Sequence, residues 1–174
     1  MLYMPPRVRR KCFVSYHGED LAAVERFITR FGRHNFIKRG ITLPREVINS
    51  NDVEYVMRKI RQLYLRDSTV TIVLIGDCTW ARRYVDWELQ ASLRRPSNGR
   101  PNGLIGILLD SRSRPRLPPR FALNRDSGYA RYHYYPKSVA SLEAWIEDAY
   151  ESRVTRLSKV RNPRQRFLLS RRCP

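Results

Sequence analysis

Residues 68–93, STVTIVLIGDCTWARRYVDWELQASL, decide the fold. The first eight of them (STVTIVLI) are mostly β-branched or apolar, as suits a strand covered on both faces of a parallel sheet. Gly76-Asp77 stops that run. Val85, Leu89 and Leu93 then recur at steps of four, which predicts a helix over 82–93. A strand that passes through a short polar turn into a helix is half of a βαβ unit, so the flanking sequence should repeat the pattern.

It does. Lys11–Tyr16 (KCFVSY) is a short apolar run ended by His17-Gly18 and reads as a first strand. Residues 19–31 carry Leu21, Val24, Phe27, Ile28 and Phe31 at helical spacing, with acids in the first turn and Gly32 just after. Asn35–Ile41 is a weaker second strand. Asn51 opens the next helix, with Glu54 three residues on as in a capping box, and Val53, Val56, Met57, Ile60, Leu63 and Tyr64 form its stripe. Gly103–Leu109 is another buried strand. An Arg- and Pro-rich loop runs from Asp110 to Arg120, Tyr129–Tyr135 is a last, edge-like strand, and Leu142, Trp145, Ile146 and Ala149 mark a final helix.

The alternation predicts an α/β fold of the flavodoxin-like kind. Its five-stranded, mainly parallel sheet would have order 2-1-3-4-5 and helices on both faces. Residues 8–152 form that domain. Beyond Arg153 the apolar periodicity fades, Pro163 blocks a continuous helix, and 153–174 reads as a basic tail.

The chain has 174 residues, 42% hydrophobic and 29% charged, enough for one globular core. No apolar run approaches the roughly 18 residues of a membrane span, and the run after the basic N-terminus is too short for a signal peptide. A cytoplasmic protein with no membrane partner is expected. Cys12, Cys78 and Cys173 are odd in number and lack any CxxC, which argues against a zinc site or disulfide framework and for free thiols. The net charge of +18 draws anions: nucleic acid, phosphate-bearing small molecules or an acidic partner. The excess is concentrated at 94–120 and in the tail, where no acid balances Arg153, Arg156, Lys159, Arg161, Arg164, Arg166, Arg171 and Arg172.

In open parallel sheets ligands bind beyond the carboxyl ends of the strands, at the switch point, here between the first and third strands. Ser15, Tyr16, His17, Asp77, Thr79 and Trp80 crowd those ends, and Gly18 and Gly76 allow close backbone approach. Glu88 and Tyr84 share a face of the following helix at i, i+4 spacing, where a carboxylate beside aromatic rings would be partly desolvated. On residues alone Glu88 is more often a solvated glutamate paired to an arginine. Likewise His17 suits a helix cap as well as a proton carrier, and Asp77 a turn as well as a ribose contact. The tyrosines of 129–135 suit edge packing as well as base stacking.

KCFVSYHGED, DSTVTIVLIGDCTWARRYVDWELQASL and NGLIGILLD together resemble the TIR-like proteins related to the Thoeris antiphage defence system. The later segment LPPRFALNRDSGYARYHYYP resembles the same subfamily, so the likeness covers most of residues 10–150. It implies a TIR fold and, for many members, cleavage of NAD between nicotinamide and ribose to give ADP-ribose-derived signals, some cyclic or conjugated, read by a separate effector. Glu88 holds the position of the family's catalytic glutamate. Tyr16, His17 and Gly18 match the loop bordering the nucleotide, and Ile48-Asn49-Ser50 the mobile loop used in assembly. Tyr84 departs from the tryptophan common there, which leaves stacking possible and puts the pocket's shape in doubt; Trp80 and Trp87 could compensate.

NAD would be substrate, with no metal or resident cofactor. Glu88 would stabilise the oxocarbenium-like ribose and accept from its hydroxyls, and Arg82 or Arg83 would hold the pyrophosphate. Ser15, Asp77 and Trp80 complete the nucleotide-contact set. Two other functions compete. A non-catalytic assembly module predicts an exposed Glu88 and a closed cleft, whereas a nucleic-acid binder predicts one continuous basic face.

Overall fold

In a computed structural model, which describes residues 9–39, 50–97 and 99–174, the five strands lie in the order β2-β1-β3-β4-β5, all parallel. Strand β1 is Cys12–Ser15, β2 Phe36–Arg39, β3 Val70–Ile75, β4 Gly103–Leu108 and β5 Arg131–His133. Helix α1 is Leu21–Asn35 and α2 Val53–Ile60, which runs on through a π-helical turn at Arg61–Leu65. Helix α3 is Arg83–Leu93, α4 Pro119–Asp126 and α5 Val139–Thr155. The doubly wound sheet is the one the alternation predicts.

Period-two alternation explains the layering. Ile72 and Leu74 point to one face with Val14, Ile105 and Ile107, where α1 supplies Val24, Phe27 and Phe31 and α5 supplies Leu142, Ile146 and Ala149. Val73 and Ile75 point to the other, against Val85, Leu89 and Leu93 of α3 and Phe121 of α4. A third cluster joins Val56, Met57 and Ile60 of α2 to Trp87 and Ala91 of α3. Helix α3 is thus packed on both the sheet and α2. Gly106 must be small, since a Cβ there would stand 2.5 Å from the Phe121 ring.

Four readings need correction. Helix α4 lies where the sequence suggested only the end of a loop. It is two turns long, starts with Pro at its first position and buries only Arg120, Phe121 and Asn124, too little for a visible periodicity. The N-cap of α2 is Asp52, whose carboxylate accepts from Tyr55 N–H at 3.0 Å, rather than Asn51. The last strand keeps only Arg131–His133 of the 129–135 run. Cys12 is a buried free thiol, its pKa pushed far up by desolvation, but Cys78 and Cys173 form a disulfide. Spacing along the chain carries no sign of that bond, because its partners are 95 residues apart and meet only in the fold.

Residues 156–174 lie against the domain as a strap. Phe167 is buried, its N–H donating to Asp86 Oδ2 at 2.9 Å and its carbonyl accepting from Trp87 Nε1 at 2.6 Å. Arg171 N–H donates to Ala81 O at 2.7 Å, and the disulfide fastens the end. Of the mobile-loop reading, Ile48 and Asn49 fall outside the described residues. No described helix is long and apolar enough to cross a membrane, and no cluster among the described residues could hold a metal.

Candidate active site

The carboxyl end of β1 and the start of α3 face each other because β1 and β3 are neighbours in register, with Ser15 beside Val73. Between these ends lies a cavity of about 290 Å³ lined by Tyr16, His17, Gly18, Arg82, Tyr84 and Ser170, with Leu21 and Val85 below them. Five of the residues picked from sequence therefore meet in one place. Arg82 brings a guanidinium whose Nε is buried without a hydrogen-bond partner among the described residues. Arg83 turns instead to the strap, donating to Leu168 O and Tyr84 Oη. His17 Nε2 lies 3.2 Å from Glu19.

Glu88 and Ser15 sit away from the cavity's lining. Both are fully buried, and Ser15 Oγ donates to Glu88 Oε2 at 2.5 Å. Glu88 Oε1 has no hydrogen-bond partner among the described residues, and no arginine pairs with the carboxyl. Desolvation dominates its titration and pushes the pKa up to about 8, with the Ser15 bond opposing. Tyr64 and Tyr16 are near enough to sense one another, and the Glu88 charge raises Tyr64 as well, after burial. Glu88 is thus a dry acid outside the cavity's lining, not a solvated helix glutamate paired to an arginine.

The remaining candidates fall elsewhere. Asp77 is exposed and accepts from Ser113 Oγ at 2.6 Å. Trp80 lines a separate hollow with Arg116 over its ring. Trp87 packs against α2 and the strap, so it does not replace the aromatic at position 84. At Gly76 a Cβ would press on the Asp20 carboxylate, which would have to swing away. Desolvation raises the pKa of that carboxyl, and its bond from Thr79 partly opposes the rise.

Sequence reasoning missed Ser170, which borders the cavity from the strap and accepts from Arg83 N–H at 3.2 Å. The only available signal was the apolar Phe167-Leu168-Leu169 inside a basic tail. Because the disulfide ties this segment down across a long loop, reduction should release it. Treatment with a phosphine, or Cys173→Ser, is expected to lower stability by about 2–4 kcal/mol, read as a fall in the thermal midpoint. An unchanged midpoint would mean that the noncovalent strap contacts suffice.

The family described as Thoeris protein ThsB, TIR-like domain, matches residues 13–114, which run from β1 through β4 and include α3. No curated protein matches the chain.

Proposed function

The chain belongs to the TIR-like domain family of the Thoeris protein ThsB, and on that premise we propose that it is an antiphage-defence enzyme that cleaves NAD and releases an ADP-ribose-derived signal for a separate effector. One observation carries the reading. Among the described residues Glu88 is fully buried near the cavity with a single hydrogen bond and no cation, an arrangement that destabilises the fold and that a purely structural glutamate avoids.

The chemistry follows from the placement. The bond between ribose C1 and the pyridinium nitrogen breaks, its electron pair stays on nicotinamide, and that leaving group departs neutral. Positive charge remains on the ribose, where an ionised Glu88 stabilises it. Water then gives ADP-ribose and a proton, or an adenine nitrogen closes a ring. At about 290 Å³ the cavity is at the small end of ligand sites and takes the nicotinamide-ribose half. Tyr16 and Tyr84 offer ring faces, and Arg82 offers a cation to the pyrophosphate.

Because the useful form is the anion, NAD turnover should rise with pH through about 8, the pKa of Glu88. Glu88→Gln should lower it by at least about a hundredfold with the fold intact. Nicotinamide release is to be measured on concentrated protein and in lysate from phage-challenged cells. Normal turnover by the variant, or a flat pH profile, would remove Glu88 from catalysis. The second reading, a non-catalytic assembly module, calls for an exposed Glu88 and a closed cleft and meets neither, although the carboxyl does lie outside the cavity lining. On that reading neither protein consumes NAD.

A further inference from the structure

Beyond the cavity at the β1 end, the same rim holds a second hollow of about 380 Å³ that shares none of its lining residues. Trp80, from the turn after β3, forms one wall. Leu117 and Ala122 give an apolar floor, and Arg116, Arg125 and Arg171 stand around it. No carboxylate lines it. Arg125 is already paired with Asp126 at 2.7 Å. Arg116 and Arg171 make only ring contacts with their guanidinium groups among the described residues, Arg116 over Trp80 at 5.0 Å and Arg171 over Phe167 at 4.5 Å. Arg171 is held at the hollow by its backbone bond to Ala81 O and by the Cys78–Cys173 bond two residues on.

We propose that this hollow binds a purine nucleoside diphosphate, the base against the Trp80 indole and the phosphates between Arg116 and Arg171. Each part answers to a feature of the site. An indole face that already holds a guanidinium takes a flat, π-rich base in its place, which leaves Arg116 to turn to the phosphates. Two guanidinium forks without carboxylate partners match two phosphate groups, each able to engage one bidentately. The apolar floor suits the sugar and the edge of the base. Free pyrophosphate would leave the indole unused, and the hollow's size fits one nucleotide rather than a track for a strand. The site does not depend on NAD cleavage.

The test is calorimetric titration of the full chain with ADP, adenosine and pyrophosphate at physiological ionic strength. One ADP site is expected, tighter than either fragment. Arg116→Glu and Trp80→Ala should each weaken it by about tenfold or more. Arg95→Glu makes the same charge change at an exposed position past the far end of α3, and should leave the affinity within about twofold. Arg82→Gln, which removes the pyrophosphate cation of the other cavity, should leave ADP affinity within about twofold, and this separates the site from the proposed catalytic one. Three results would overturn the proposal: no ADP binding, pyrophosphate binding as tightly as ADP, or Arg95→Glu weakening ADP as much as Arg116→Glu. Arg116 is exposed, so its variant remains informative if Trp80→Ala does not fold.

Discussion

Glu88→Gln will be more stable than the parent chain in alkaline solution and lose that advantage in acid. The sign follows from linkage. Below about pH 4.5 folded and unfolded chains both hold the proton, and the buried carboxyl carries no charge penalty. Between there and about pH 8 the unfolded chain releases the proton while the native one keeps it, so stability falls as pH rises. Above about 8 the loss levels off, at a total on the order of 5 kcal/mol. Glutamine can still accept from Ser15 but has no proton to lose. Its own amide N–H groups lack a partner, which costs about 1–3 kcal/mol at every pH. The readout is therefore the change in the gap between the two proteins, measured by urea unfolding at acid, neutral and alkaline pH. Parallel profiles would mean that Glu88 is solvated and carries no desolvation penalty.

The same property constrains function. With a pKa near 8, most Glu88 carboxyls are neutral at pH 7, and an oxocarbenium ion needs an anion beside it. Bringing a ribose to Glu88 also requires the layer that separates it from the cavity to shift.

Burial of Glu88 was the least legible part of the sequence. Read as an amphipathic helix, α3 buries Val85, Leu89 and Leu93 and leaves Glu88 near the surface. In the fold Asp86, Trp87 and Ala91 are buried as well, because α2 and the strap cover the side that periodicity assigns to solvent, while Glu88 and Ser92 turn to the sheet and bond Ser15 and Thr71. The strands, by contrast, were readable because each carries its burial in its own composition: Val70–Ile75 and Gly103–Leu108 are buried at every position. Strand order followed from alternation with helices. Tyr16, His17, Gly18, Arg82 and Tyr84 converge because the topology alone fixes which strand ends are neighbours. Trp80 and Asp77 have the right place in the chain but emerge on the other side of the β3 turn. The strap lies furthest from local sequence: its anchors are single polar atoms, one buried ring and one disulfide-bonded cysteine scattered among arginines.

Arg120→Met should be the most damaging substitution on that strap's own foundation. Arg120 is fully buried and holds Asp86 through Nε at 3.0 Å and Nη2 at 3.3 Å, while Asp86 is itself 2% exposed. Its other N–H groups reach Asn162 Oδ1 at 2.8 Å and Arg164 O at 2.9 Å. One side chain thus joins α4, α3 and the strap. Methionine keeps much of the stem but strands a buried carboxylate with only the Phe167 N–H, and removal of one partner of such a pair costs about 3–5 kcal/mol. Adding Asp86→Asn should restore part of the loss, since the stranded charge is then gone, and the double-mutant cycle measures the coupling. Trp87 fluorescence should change in the single variant, because its indole N–H bonds to the carbonyl of Phe167, which Arg120 indirectly positions. Arg112, paired to Asp110 at the surface, is the control, and its alanine variant should leave stability unmoved. If Arg120→Met unfolds no more easily than that control, the strap is held by its disulfide and Phe167 alone, and the buried pair adds nothing.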